Sequence, residues 1–357
     1  MTLNINTDLA NRFSAQPFRF PDSDISWAGE NPWGRGFCFG SEDGRLLVKR
    51  FDDPKVNIIS LFDESNDPIN GVAFLGRTIA ASTRSAVRFF DLPHPGENWG
   101  REVIYDGGAH DIIKTLTRKF IAPLGINGLL SIAPTSDSTQ ILKIFKTEAH
   151  PFNFYKVTCL GEANDSDILA CALRCDGWAT VLLNDSNPFL NVISKPDLDV
   201  VDICPIVSDQ FPRAAIAVGH DCSFILIRDV LVPDENDTIF QIDGLPGIAY
   251  RVMSAQGHII LLTSESLCIL PDFASRFLDG QDIGNRGGTR CIDGDYVDAF
   301  IAYDEWVLLV MPDGSVASVK IEELIAKAKS PLTFSPTQLG SANWLSPQRF
   351  GLTAVAG

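Results

Sequence analysis

The residues with catalytic potential are five histidines, His94, His110, His150, His220 and His258, and a set of aspartates at recurring turns. A nucleophilic triad needs Ser, His and a carboxylate brought together, and no Gly-x-Ser-x-Gly elbow accompanies these histidines. Asp43, Asp176 and Asp313 each precede a glycine between two apolar runs, and Asp221 follows Gly219-His220. Should those turns share a face with His110 and His150, carboxylates and imidazoles would converge as a metal or sugar site requires. Against this, Asp in an Asp-Gly turn first serves backbone geometry. Asp293-Gly-Asp-Tyr-Val-Asp298 is oxygen-rich but lacks the twelve-residue spacing and final Glu of an EF-hand. The glycines of 280–289 match neither a dinucleotide fingerprint nor a phosphate loop. Eight cysteines lie mostly in apolar runs, and Cys171 and Cys175 lack the second ligand pair of a zinc site. They read as reduced core thiols of a cytoplasmic protein. The expectation is no catalytic, cofactor or metal site.

Charge narrows the partners. The 357 residues carry 29 Lys+Arg against 45 Asp+Glu, a net charge of −16. Phosphate contacts need clustered cations, so nucleic acid is excluded, and anionic lipid with it. No basic-then-apolar leader and no membrane-length apolar run are visible.

The elements that must position these residues are hairpins. In the clearest copy, Gly36–Ser41 turns at Asp43-Gly44 into an alternating run to Asp52. Asp-Gly supplies the positive φ that a tight hairpin needs. Related pairs turn at Thr83-Arg84, Gly125–Asn127, Asp176-Gly177, Gly219–Asp221, Ser264-Glu265 and Asp313-Gly314. Each has an apolar run before it, such as Ile248–Met253, and most have another after it. Four short antiparallel strands repeating every 40–50 residues or so are the pattern of β-propeller blades.

Ser41–Asp52 resembles the WD40 family: a small residue, an Asp-Gly turn, apolar alternation, an aromatic and Asp. Phe89-Phe-Asp91 and Ile227-Arg-Asp229 are similar to its end, with Phe or Arg where the family has Trp. The resemblance implies a ring with a central channel and a protein-binding role. The reading is an all-β β-propeller of about seven blades in residues 1–330. The blades span roughly 18–62, 67–106, 110–147, 152–195, 199–243, 246–292 and 295–320, with a closing strand from Leu3–Thr7 or Leu332–Ser335. Two stacked all-β domains divided near Gly161–Asp167 are the competing architecture. Ile321, Leu324, Ile325 and Ala328 fall at helical spacing before Pro331. The apolar tail 331–357 should pack on the ring or on a partner, with Leu332, Phe334, Trp344 and Phe350 as candidate docking residues.

The function expected is a non-enzymatic scaffold, free of cofactors and a subunit of a larger complex, holding a partner with a basic surface. The candidate rim is Glu42, Asp43, Arg84, His110, Asp176, His220, Asp221, Glu265 and Asp313. The alternative is a propeller hydrolase or lyase acting on a small molecule or sugar at the channel mouth.

Overall fold

The computed structural model describes residues 18–19, 22–33, 35–50, 56–60, 67–76, 78–91, 100–134, 140–147, 151–184, 188–193, 199–208, 211–231, 238–242, 245–273, 290–328, 336–338 and 348–356. They form seven antiparallel sheets, numbered here along the chain. The first holds Ile25–Glu30, Gly36–Ser41, Arg45–Arg50 and Val56–Ser60, and the second Gly71–Leu75, Thr78–Ser82, Val87–Asp91 and Gly100–Tyr105. The third holds Ile113–Lys114, Phe120–Pro123, Leu129–Pro134 and Gln140–Lys146, and the fourth Lys156–Ala163, Ser166–Ala172, Trp178–Leu183 and Phe189–Ile193. Val200–Pro205, Ala215–Gly219, Ser223–Ile227 and Thr238–Ile242 make the fifth, and Ala249–Ala255, His258–Thr263, Ser266–Leu270 and Arg290–Asp293 the sixth. Asp298–Ala302, Trp306–Val310 and Ser315–Lys320 belong to the seventh.

The second strands carry little polar alternation. Ser166–Ala172 and Ala215–Gly219 are buried at every position, as continuous apolar strands are when both faces are covered. The turns follow the predicted chemistry: Gly44, Gly177 and Gly314 have φ of 80°, 86° and 73°. At the fifth-sheet turn Cys222 takes the left-handed conformation, with φ 61°.

Two compact units emerge. One comprises Met1–Phe39, Arg50–Asp52 and Val201–Ala342, the other Gly40–Lys49, Asp53–Val200 and Asn343–Gly357. The competing division near Gly161–Asp167 is wrong, because Lys156–Ala163 and Ser166–Ala172 pair across a tight turn at Asn164-Asp165. In each unit, backbone bonds stitch successive sheets. The segment before a first strand donates to the central hairpin turn of the preceding sheet: Ile69 to Ser41, Ala109 to Thr83, Phe154 to Gly125, Val200 to Arg174, Ala249 to His220 and Gly294 to Glu265.

The ends depart from expectation. The fourth strand of the seventh sheet is Phe18–Arg19, with Phe18 opposite Val316 and Arg19 opposite Ser315. These residues were expected to open the first blade. Leu3–Thr7 and Leu332–Ser335 lie outside the described residues. The tail adds a fifth strand to three sheets, where four were expected. Pro336–Gln338 pairs with Thr238–Ile242, Gln348–Gly351 with Phe189–Ile193, and Thr353–Ala356 with Gln140–Lys146. Each covers an outer strand edge, which would otherwise present unpaired backbone groups. Helical spacing near the end gives the helix Ile321–Lys327, with Glu322 and Glu323 in its first turn.

Candidate functional site

The residues expected to form a rim sit at or beside the central hairpin turns, and their side chains divide into structural and outward-facing sets. Asp43 is tied into its own hairpin: its carboxylate accepts from the Ser41 hydroxyl and from Arg45 Nε at 3.0 Å, and pairs with the same guanidinium at 2.7 Å. Partial burial pushes its carboxyl up, but bonds from Arg45 and Ser41 and the Arg45 charge outweigh this and hold it below the usual Asp value. Asp221 accepts from Ser223 N–H at 2.9 Å and from its hydroxyl at 2.7 Å. Asp313 does the same with Ser315, at 3.1 and 2.6 Å. These carboxylates hold turns, as Asp-Gly chemistry implied. Glu42, Arg84 and Glu265 are exposed, and Asp176 and His220 are half-buried.

In the unit containing the third and fourth sheets, His110 lies in a cluster of mixed charge. Its ring packs 5.1 Å from Tyr155, and the Arg174 guanidinium stands 4.9 Å from the centre of the Tyr155 ring. Lys156 bonds Asp111 at 3.1 Å, and Arg174 pairs with Asp199 at 3.3 Å. Partial burial of the imidazole, then Lys156 and Arg174, lower the His110 pKa against the opposing pull of Asp111. These influences favour the neutral ring, which can accept a hydrogen bond. Ile126, on the adjoining turn, is exposed.

The other unit carries three exposed apolar side chains on neighbouring segments. Ile248, Tyr250 and Val297 are 48%, 47% and 57% exposed, large values for side chains of this size and hydrophobicity. The Ile248–Met253 run was expected to be an ordinary first strand. Instead the register steps from Ala249 opposite Thr263 to Arg251 opposite Leu262, leaving Tyr250 as the extra residue of a bulge. Bulges turn a side chain out of its ordinary alternation. The segments are bonded together: Ile248 N–H donates to the Ser264 hydroxyl at 3.0 Å, Ser264 N–H to the Ile248 carbonyl at 2.9 Å, and Gly294 N–H to the Glu265 carbonyl at 3.0 Å. Gly247 permits this approach, with φ 79° and room for no Cβ, which would lie 2.3 Å from the Ser264 hydroxyl. Exposed acids, Glu265, Asp293 and Asp295, stand on the same segments, and exposed Asp221 lies beside His220, whose carbonyl accepts from Ala249 N–H at 3.3 Å.

Reading the sequence missed this exposure, because the bulge arises from pairing and not from residue type. It also missed Asp111, Asp202 and Asp298, each of which accepts from the backbone N–H of the next residue and bonds a neighbouring strand. Asp202 is buried and accepts from Ile203 N–H at 3.0 Å and from Val252 N–H at 2.9 Å. Asp298 accepts from Ala299 N–H at 2.8 Å and pairs with Arg251 at 3.1 Å. The available signal was a charged residue inside an apolar first strand, as in Val-Val-Asp202-Ile-Cys.

With this geometry in hand, solved structures supply a comparison. The WD40 β-propeller domain of Doa1 is similar to 88% of this chain over 98% of its own length, with a TM-score of 0.60 and 10% identity. The fold is of the WD40 β-propeller type. No protein-family model and no curated protein sequence matches the chain. Among the described residues no group of three or more His, Cys, Asp or Glu side chains could hold a metal ion, and no helix is long and apolar enough to cross a membrane. Of the candidate tail residues, Leu332, Phe334 and Trp344 lie outside the described residues. Phe350 lies in Gln348–Gly351, with its backbone opposite Leu190.

Proposed function

We propose that the chain is a non-enzymatic interaction scaffold, its seven sheets the blades of a WD40-type propeller, which binds a protein partner at the central turns. The observation that carries this reading is the exposure of Ile248, Tyr250 and Val297 on hydrogen-bonded segments that also bear Glu265 and Asp295. An exposed tyrosine offers a large contact area at small entropic cost, and flanking acids favour a segment with Lys or Arg beside an apolar residue. The net charge of −16 would speed encounter with such a partner at low salt. The other rim residues, Glu42, Asp43, Arg84, His110, Asp176, His220, Asp221 and Asp313, would set orientation.

The test is affinity purification from the native source with the wild type, Tyr250→Ala and Glu265→Lys in parallel. A partner retained by the wild type, lost with both variants and released by salt supports the reading. Recovery of the chain alone, or a partner held equally by all three, overturns it.

A further inference from the structure

Eight cysteines are present without a disulfide among them, and two are opposite one another. Ser266–Leu270 and Arg290–Asp293 are adjacent antiparallel strands of the sixth sheet, and their register places Cys268 directly across from Cys291. Directly opposed residues have Cα atoms about 4.5 or 5.5 Å apart, within the roughly 4.4–6.8 Å range of disulfides. The two side chains share a face: Cys268 is part of the core cluster with Ile259, Leu261 and Leu270, and Cys291 packs against it. The two thiols are close enough to influence each other's ionisation. The Ser266 hydroxyl lies 3.1 Å from Cys268 Sγ.

The two thiols are not equivalent. Cys268 is fully buried, whereas Cys291 is half-buried and reachable from solvent. The neighbouring Cys268 thiol lowers the Cys291 pKa, and the Cys291 thiol together with burial raises that of Cys268. An accessible thiol of lowered pKa beside a second thiol is the arrangement of peroxide-reactive cysteine pairs.

We propose that Cys268 and Cys291 form a modification site for hydroperoxides, with Cys291 attacking and Cys268 resolving. This inference stands apart from the scaffold reading. In the first step the Cys291 thiolate attacks one oxygen of hydrogen peroxide. The O–O bond breaks, hydroxide leaves and takes up a proton as water, and the sulfur, losing two electrons, becomes a sulfenic acid. In the second step Cys268 sulfur attacks Cys291 sulfur. The S–S bond forms, the S–O bond breaks, and the departing hydroxide takes the Cys268 proton as water. Two thiols and one peroxide thus give one disulfide and two waters.

The test uses the full chain, treated with increasing hydrogen peroxide while circular dichroism is followed. Remaining thiols are blocked, and trypsin, cutting at Arg276, Arg286 and Arg290, separates the two cysteines for mass spectrometry under non-reducing conditions. The expected result is a linked pair of peptides containing Cys268 and Cys291, lighter by two hydrogens, reversed by dithiothreitol and formed while the fold is intact. In Cys268→Ser, Cys291 should be trapped as a dimedone adduct, and in Cys291→Ser, Cys268 should stay a free thiol. Exposed Cys175 is the internal standard. Recovery of Cys268 and Cys291 as thiols after Cys175 is oxidised overturns the proposal. So does linkage to Cys222 instead, or linkage only after the folded signal is lost.

Discussion

Leu352 offers the sharpest test of what holds the C-terminal segment in place. Gln348–Gly351 pairs with the fourth sheet and Thr353–Ala356 with the third, so one residue spans the step between two sheets. Leu352 is only 7% exposed and belongs to a core cluster with Leu183, Leu190 and Val192 of the fourth sheet and Leu129 and Phe145 of the third. Its N–H donates to the Pro188 carbonyl at 3.2 Å. The flanking residues Arg349, Gly351, Thr353 and Ala354 are exposed. Apart from the Arg349 guanidinium, 4.0 Å from the centre of the Phe189 ring, Leu352 is the principal apolar anchor described in this segment.

Leu→Ala at buried sites costs about 2–5 kcal/mol. A segment held at one edge can collapse into the space vacated, so Leu352→Ala should fall at about 2–3 kcal/mol. That cost should appear mainly as local opening, since the segment can detach while the sheets persist. At 1.4 kcal/mol per tenfold change, amide exchange over residues 353–356 should accelerate about 30- to 140-fold. Hydrogen exchange with mass spectrometry, resolved to a peptide covering 348–356, measures this directly, with Thr353→Ala as a surface control expected within about 0.5 kcal/mol. Exchange in Leu352→Ala within threefold of the control would mean that backbone pairing alone holds the segment and that the anchor argument fails.

Four further outcomes are expected. Asp202→Ala removes a buried carboxylate that serves Ile203 and Val252 N–H; leaving those donors unmatched should cost about 2–4 kcal/mol in urea unfolding. The His110 imidazole should titrate by NMR below its usual value and shift upward in Arg174→Gln, since Arg174 is one of the charges that depress it. Because the folded-state pKa is the lower one, the group's contribution to stability is complete above the unfolded value, about 6.5, and is lost as pH falls through the folded one. Asp43 also has a depressed folded pKa, so its stabilisation is complete above the unfolded value, about 3.9, and lost as pH falls through the folded one. The stability gap between wild type and Asp43→Asn should therefore be full at pH 7 and close below the usual Asp range. With iodoacetamide at pH 8, exposed Cys175 should alkylate quickly, while Cys222, pushed up to about 11 chiefly by burial, should resist until unfolding.

The sequence made the hairpins readable because their determinants are local. Asp43-Gly44, Asp176-Gly177 and Asp313-Gly314 announce positive φ within two residues, and the helix from Ile321 is visible in its spacing and its stop. The ends were not readable in this way. Phe18–Arg19 is a two-residue strand whose assignment depends on Val316 and Ser315, some three hundred positions away. The tail strands likewise pair with edges distant in sequence, and short strands have too few residues to show alternation. The site divided along the same line. Turn acids could be found from Asp-Gly pairs, whereas exposure of Tyr250 follows from a register step and exposure of Ile248 from the fit of Gly247 against Ser264. Both are tertiary facts written over a run that looks like ordinary core strand.

Holding a turn and attracting a partner are not competing roles for an acidic residue, and the difference between them depends on the donor. Serine N–H and hydroxyl groups fix the carboxylates of Asp221 and Asp313 without changing their charge. Arg45 fixes Asp43 and also offsets its charge. Glu265 makes a third case: its backbone N–H is held by the Thr263 hydroxyl while its side chain is exposed beside the Ile248 turn. If charge steers a basic partner, Glu265→Gln should flatten the salt dependence of capture, while Asp43→Asn should lower stability and leave that dependence nearly unchanged. Equal effects of the two substitutions on capture would show that net charge alone governs the encounter and that the placement of these carboxylates is immaterial.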